Sequence, residues 1–90
     1  MYYVYILFSK KDKKLYTGYS RDLKRRMAEH KSGKVTATKH RQSVSLIYYE
    51  SYLLWSDAKR REKYLKGGNG RAQLKIQLQG VLKKFGYKYL

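Results

Sequence analysis

The sequence contains no cysteine and no proline, and its 90 residues include only six acidic side chains. The absence of cysteine excludes a disulfide framework and any metal site built from thiolates. No apolar run approaches the roughly 18 residues that a membrane-spanning helix needs, so we expect no membrane partner. The opening residues, MYYVYILFSKK, lack the basic and then apolar order of a signal peptide. We therefore interpret them as a strand of the fold and expect a cytoplasmic protein.

What the chain has in excess is positive charge. Twenty-two lysines and arginines against six acids give a formal net charge of +16. Such an imbalance favours a polyanionic partner, with nucleic acid ahead of an anionic membrane. A hydrophobic content of 42% indicates a folded domain rather than a disordered basic tail. The eleven tyrosines are either strand residues or platforms for stacked bases, and we favour strand residues for most of them.

Hydrophobic periodicity divides the chain into six elements of secondary structure. Residues 2–9 alternate as a strand that is apolar on both faces, and a polar turn leads into a second strand. Ser20 is the expected N-cap of the first helix, and Ser56 that of the second. The predicted elements are strands 2–9, 14–19 and 44–53, and helices 21–31, 57–66 and 71–85, with a loop over 33–43. The order ββαβαα predicts one α+β domain over residues 1–90, with a small three-stranded antiparallel or mixed sheet flanked by helices.

The first helix carries two adjacent arginines that are not equivalent. At 100° per residue, Arg26 lies at the edge of the apolar stripe that contains Leu23 and Met27, whereas Arg25 faces solvent. Arg26 is either a boundary arginine, or a partner of Asp22 one turn earlier, or a functional cation.

An acidic residue on the second helix is the sharper anomaly. Glu62 falls beside Ala58 and Leu65, on the face that turns inward, where an unpaired carboxylate is costly. It either forms a salt bridge with Arg26 or Arg61, or provides the ligand of a divalent metal ion. Glu50, near the end of the third strand, is the rival inward acid.

These residues resemble the motifs of the GIY-YIG nuclease superfamily, in particular its small single-domain branch. The resemblance covers roughly residues 2–70, with the last helix included. It rests on the tripeptides Tyr3-Val4-Tyr5 and Tyr16-Thr17-Gly18, on SRDLKRRMAEH over 20–30, and on Arg61-Glu62 followed by KYLK. Each tripeptide alone is a weak signal, but their spacing together with the arginine, histidine and glutamate is specific.

The resemblance implies a role for each matching residue. Arg26 corresponds to the catalytic arginine that contacts the scissile phosphate, and His30 to its partner on the same helix. Glu62 corresponds to the metal ligand, which would hold one Mg²⁺ or Mn²⁺. Tyr5 would act as general base or orient the water, and Tyr16 is the alternative base. Gly18 would let the backbone pass close to the substrate or to the helix.

The chain departs from the family pattern at a few positions. Tyr3 replaces a glycine, and Val4 and Thr17 replace isoleucines. Tyr19 stands where some members have a lysine or serine, which leaves one supporting cation to be found. Lys14 or Arg21 is the candidate replacement.

The sequence thus predicts a metal-dependent endonuclease that hydrolyses phosphodiester bonds in DNA, with RNA not excluded. Without a second recognition module, we expect selection by substrate structure, in repair or recombination. Backbone contacts are expected from Arg21, Arg25, Lys31, Lys34, Lys39 and Arg41. One alternative is a catalytically weak or inactive nucleic-acid-binding module of the same fold. Another is a structural protein that coats an anionic surface, which leaves the inward Glu62 unexplained.

Overall fold

The computed structural model describes residues 1–39 and 43–87 as an antiparallel sheet with helices on both faces. The elements are β1 (Tyr2–Ser9), β2 (Leu15–Ser20), α1 (Leu23–Lys31), β3 (Val44–Tyr52), α2 (Trp55–Lys66), α3 (Gly68–Gln77) and α4 (Gln79–Lys84). The predicted α+β class and the order ββαβαα are confirmed, with the last predicted helix divided into two. Among the described residues, no helix is long and apolar enough to cross a membrane.

Strand β1 lies at the centre of the sheet, between β2 and β3. Its residues from Val4 to Ser9 are all buried. A strand with apolar side chains on both faces is stable only when both faces are covered, and the central position provides this. Val4 and Ile6 pack against Ala58 and other apolar residues of α2 and α3. The alternate residues of β1 point to the opposite face, which α1 covers.

Helix α1 begins two residues later than the Ser20 cap predicted. The N-cap is Asp22, whose carboxylate accepts a hydrogen bond of 3.0 Å from the backbone N–H of Arg25. Ser20 remains in β2, and its hydroxyl lies 3.0 Å from the backbone nitrogen of Asp22. The carboxylate therefore satisfies a free N–H of the first turn, and the serine supports the bend before it.

Helix α2 also begins at a residue other than the one predicted. Leu54 is its N-cap, without a side-chain cap bond, so Ser56 lies inside the first turn. The third helix begins at Gly68 rather than Arg71 and ends at Gln77. Leu78, with φ −104° and ψ 17°, then separates it from the short α4. The apolar periodicity continues across this break, which is why the sequence pattern predicts one helix.

The loop after α1 carries two buried side chains. Val35 and Thr38 are 7% and 2% exposed, and the Thr38 N–H donates to the Val35 carbonyl. The loop therefore packs back onto the domain, and Thr38 reaches the end of α1.

Candidate active site

A chain of three buried polar groups lies between β1 and α1. The Tyr5 hydroxyl is 2.8 Å from Nε2 of His30, and Nδ1 of His30 is 2.6 Å from the Thr38 hydroxyl. The three residues are 0%, 4% and 2% exposed. The strand, the helix and the following loop each contribute one group, so both ring nitrogens of His30 have partners and the imidazole is held in one orientation.

Gly18 makes room for Tyr5. The two residues are paired across β1 and β2, and a Cβ at Gly18 would overlap the tyrosine ring, with Cε1 only 2.8 Å away. The phenol therefore lies over the glycine backbone. This contact, rather than close approach of substrate or helix, is what the structure shows for Gly18.

Burial sets the protonation of the chain at neutral pH. It raises the pKa of the Tyr5 hydroxyl to about 12, although the neighbouring Arg26 guanidinium opposes the rise. Burial and the Arg26 charge lower the pKa of His30 below its ordinary value. At pH 7 the phenol therefore keeps its proton, and the imidazole is neutral, with one nitrogen that can accept a proton.

Tyr16 stands beside the chain without joining it by a hydrogen bond within the described residues. Its ring centroid lies 6.3 Å from that of Tyr5 and 5.4 Å from that of His30. Unlike Tyr5, it is partly exposed. It forms a wall of the site that solvent can reach.

Arg26 lies at the boundary of the site, with its side chain 34% exposed. Its guanidinium is next to the Tyr5 hydroxyl, a contact that raises the pKa of Arg26. Its Nη1 donates to Glu29 at 3.2 Å rather than to Asp22, because Asp22 caps the helix. Within the described residues its Nε is buried and has no acceptor. An unsatisfied buried donor of this kind is uncommon and is consistent with a site that takes an anion.

Glu62 lies on α2, within electrostatic reach of Tyr5. The pKa of Tyr5 is raised mainly by burial of the phenol and, to a smaller extent, by the negative charge of Glu62. The side chain is 12% exposed, and its two oxygens accept hydrogen bonds from Lys59 at 2.9 Å and from Lys66 at 3.1 Å. Burial alone would raise the pKa of Glu62, but the two lysines hold it below its ordinary value. The carboxylate is therefore ionised at neutral pH. Its salt-bridge partners are Lys59 and Lys66, and not Arg26 or Arg61, which the sequence left open as alternatives.

Glu50, the rival acid, is fully engaged elsewhere. Arg61 donates to both of its oxygens, at 2.9 and 3.0 Å, and the hydroxyls of Tyr48 and Tyr52 also donate to it. Burial would raise the pKa of Glu50, and these donors lower it. The cluster joins β3 to α2, so Glu50 is interpreted as a structural acid.

A cation from α2 lies beside Tyr19. The Nζ of Lys59 lies 4.7 Å from the centroid of the Tyr19 ring, and it also donates a hydrogen bond to Glu62. Neither Lys14 nor Arg21 occupies this position: Lys14 lines a different cavity, and Arg21 lies over Tyr2. Lys59 was not among the predicted site residues, although its spacing of three residues from Glu62 on a helix favours an ion pair between the two.

The predicted backbone-binding cations lie on the surface, apart from Arg41, which falls outside the described residues. The exposed ones are Arg21, Arg25, Lys31, Lys34 and Lys39. Three further cations, Lys14, Arg71 and Lys75, line a cavity of about 480 Å³ between β2 and α3.

Comparison with known proteins identifies the family of the chain. Residues 1–75 match the family model described as the GIY-YIG catalytic domain. A UPF0213 protein of Pediococcus acidilactici is 40% identical over 90% of this chain and 86% of its own length. A UPF0213 protein of Staphylococcus saprophyticus is 36% identical over 88% of this chain and 96% of its own.

A solved structure extends the similarity to the fold. The solution NMR structure of a UPF0213 protein from Bacillus halodurans superposes with a TM-score of 0.55 at 32% identity, covering 99% of this chain and 97% of that one. The chain therefore belongs to the GIY-YIG family, a membership that supports a nuclease-type function on a nucleic-acid substrate.

Proposed function

We propose that the protein is a metal-dependent endonuclease that hydrolyses phosphodiester bonds in DNA. One observation carries the proposal: the buried chain Tyr5–His30–Thr38 ends at a hydroxyl that lies against the Arg26 guanidinium. The neutral His30 imidazole lies behind the Tyr5 phenol, and the phenol faces Arg26, whose Nε has no acceptor among the described residues. A purely structural role does not require this combination.

Arg26 binds the phosphate in this proposal. A guanidinium offers paired donors that match the oxygens of a phosphate, and its charge opposes the negative charge that develops as water adds. Because Arg26 touches Tyr5, a phosphate bound there is brought to the Tyr5 hydroxyl.

Tyr5 carries the proton. As the water oxygen attacks phosphorus, Tyr5 accepts the water's proton while its own proton passes to Nε2 of His30. Tyr5 is neutral before and after the step, which avoids forming a tyrosinate whose pKa is about 12. His30 becomes an imidazolium with Nδ1–H donated to Thr38, and the bond from phosphorus to the leaving oxygen breaks, with that oxygen taking a proton from solvent.

Glu62 would hold the metal ion. A single carboxylate suffices for Mg²⁺ or Mn²⁺ when waters and substrate oxygens complete the coordination, and the described residues contain no cluster of three potential ligands. The ion, when bound, supplies charge neutralisation at the scissile phosphate. Lys59 and Lys66 are 41% and 51% exposed, so each can leave a Glu62 oxygen for a nearby phosphate. We therefore expect tight metal binding only in the presence of substrate.

The substrate is proposed to be selected by structure. The exposed cations follow phosphates and carry little sequence information. Branched or flapped DNA, of the kind formed in repair and recombination in the cytoplasm, fits an enzyme that reads shape and charge.

One observation favours a second candidate, a nucleic-acid-binding module without useful catalysis. Both Glu62 oxygens are bonded to lysines, and these cations compete with a metal ion. If the lysines stay in place when nucleic acid binds, the fold binds without cutting.

A cleavage assay tests the proposal. The protein is incubated with flapped, branched and single-stranded DNA and with RNA, in Mg²⁺ or Mn²⁺ and in EDTA. Arg26→Ala and Glu62→Gln are each expected to lower kcat by roughly a hundredfold or more. Arg25→Ala is the matched control. The Arg25 side chain is 66% exposed, and its ion pair with Glu29 is long at 4.0 Å. This variant is expected to retain kcat.

The outcomes separate the two candidates. Equal cleavage by wild type, Arg26→Ala and Glu62→Gln would show that the site is not catalytic. Salt-sensitive binding of every substrate, with no cleavage in either metal, would support the binding module instead.

A further inference from the structure

Three consecutive large apolar side chains are exposed where β3 leads into α2. Leu53, Leu54 and Trp55 are 77%, 57% and 54% exposed. Leu54 has extended backbone angles and Trp55 is the first residue of α2, so the three project at a sharp change of chain direction. A contiguous group of exposed apolar side chains is typical of an interaction surface.

This apolar tip is connected to the candidate active site by the geometry of α2. At 100° per residue, Trp55, Lys59 and Glu62 fall within about 60° of one another, on one flank of the helix. The rise of 1.5 Å per residue places Trp55 about 10 Å along the axis from Glu62. A strand of B-form nucleic acid advances 3.4 Å per nucleotide, so this separation corresponds to roughly three nucleotides.

The surface beside the tip alternates cations with aromatic rings. Lys59 lies over Tyr19, the Tyr19 ring stacks on Tyr2 at 6.4 Å, and the Arg21 guanidinium lies over Tyr2 at 5.7 Å. Cations next to flat apolar rings suit a ligand that carries phosphates and planar bases together. The strongly positive charge of the chain favours that ligand over an apolar protein surface.

We propose that Trp55, supported by Leu53 and Leu54, is a stacking wedge for an unpaired nucleobase, two to four nucleotides from the phosphate held at Arg26 and Glu62. The occupant is a single-stranded segment, or the first unpaired base at a junction, because a base inside a duplex does not present its face. The identity of the ligand rests on the proposed function, but the wedge itself requires binding and not catalysis. It would give the enzyme a preference for flaps and branches.

Trp55 is the single tryptophan of the chain, so its fluorescence reports the contact directly. The protein is titrated in EDTA with a single-stranded oligonucleotide and with an abasic oligonucleotide of the same length. Binding of both is followed independently by the anisotropy of an end label. The base-containing strand is expected to quench Trp55 fluorescence, and the abasic strand to bind with little quenching.

Substitution provides the second measurement. Trp55→Ala is expected to bind single-stranded and flapped DNA roughly 5- to 150-fold more weakly, with much less effect on a blunt duplex. Tyr64→Ala is the matched control, because Tyr64 is also exposed, at 42%, and lies about 180° from Trp55 around α2. Equal melting temperatures of the variants establish that both are folded.

The possible results distinguish the wedge proposal from the nuclease proposal. If the anisotropy shows binding but Trp55 fluorescence is not quenched, and Trp55→Ala binds as well as the wild type, the wedge proposal is wrong. The nuclease proposal is unaffected by this result. If Trp55 fluorescence changes only with anionic lipid vesicles, the apolar tip is a membrane-binding surface. If it changes only with rising protein concentration, the tip binds a second copy of the chain. Quenching and a specific Trp55→Ala defect without any cleavage support the wedge while the nuclease proposal fails.

Discussion

At the scale of single residues, the candidate site depends on side chains that confine one another. Tyr5 lies over Gly18, is hydrogen-bonded to Nε2 of His30, and contacts Arg26, while Thr38 holds the far nitrogen of the imidazole. Each of these contacts restricts a rotatable group before a substrate arrives. Such preorganisation is what lets a small domain place a proton acceptor next to a phosphate.

The two tyrosines can be distinguished by removing their hydroxyls. Tyr5→Phe keeps the ring over Gly18 but removes the hydroxyl that is bonded to His30, so single-turnover cleavage is expected to slow by roughly 10²- to 10⁴-fold. Tyr16→Phe is expected to lose much less, because within the described residues that hydroxyl has no proton outlet. A severe loss in Tyr16→Phe combined with an active Tyr5→Phe would instead assign the base to Tyr16.

His30 also predicts how stability depends on pH. Its pKa is lowered in the folded protein, so the unfolded chain binds a proton that the folded chain resists. The free energy of unfolding should therefore fall as pH drops below about 6.5, the ordinary pKa of histidine. Urea denaturation at pH 7.5 and 5.0 measures this, and His30→Gln should show a smaller decrease. An identical decrease in the variant would mean that other groups cause it.

At the scale of elements, α2 is the helix on which the site depends most. It carries Glu62 and Lys59 towards the site, Arg61 attaches it to Glu50 of β3, and Gly70 lets α3 approach its end closely. A Cβ at Gly70 would collide with the backbone around Tyr64 and Leu65, and backbone atoms cannot rotate away. Close packing of α3 therefore helps to fix the direction of α2, and with it the position of Glu62.

Two glycine substitutions test this packing. Gly70→Ala is expected to destabilise the domain by about 1–3 kcal/mol or more, because the clash forces α2 and α3 apart. Gly80→Ala is the matched control, since Gly80 lies in α4 and an added Cβ meets nothing within 4 Å. That change should stabilise by about 0.5–1 kcal/mol through helix propensity. Thermal or urea denaturation decides, and equal effects of the two substitutions would contradict the close contact.

At the scale of the whole molecule, the charge balance leaves most cations without a carboxylate. Six acids cannot pair with 22 lysines and arginines. Three of these acids are already engaged: Asp22 caps α1, Glu50 binds Arg61, and Glu62 binds two lysines. Much of the basic surface is therefore available to phosphates, and its repulsion is relieved when a polyanion binds.

This distribution predicts a steep dependence of nucleic-acid binding on salt. The logarithm of the association constant should fall linearly with the logarithm of salt concentration, with a slope that counts the phosphates contacted. Removing one exposed cation, as in Arg25→Ala, should weaken binding of all sequences and reduce the slope by about 1. Fluorescence anisotropy across a salt series measures both quantities. A slope near zero would argue against a phosphate-binding surface.

The sequence by itself determined the order of the elements, the covering of both faces of the first strand, and the motif spacing that marks the family. These depend on local periodicity and on residues near one another in the chain, so they can be read without coordinates. Arg26 is also separated from Arg25 by helix geometry alone.

Only the tertiary structure decided which groups meet. Asp22 and not Ser20 caps α1, Arg61 binds Glu50 rather than Glu62, and Lys59 takes the place beside Tyr19. Thr38 joins the site from a loop that has no periodicity, and Gly18 faces Tyr5 because of the register between two strands. The partner of a charge or a ring depends on strand register and helix packing across long stretches of chain, and local pattern does not specify these distances.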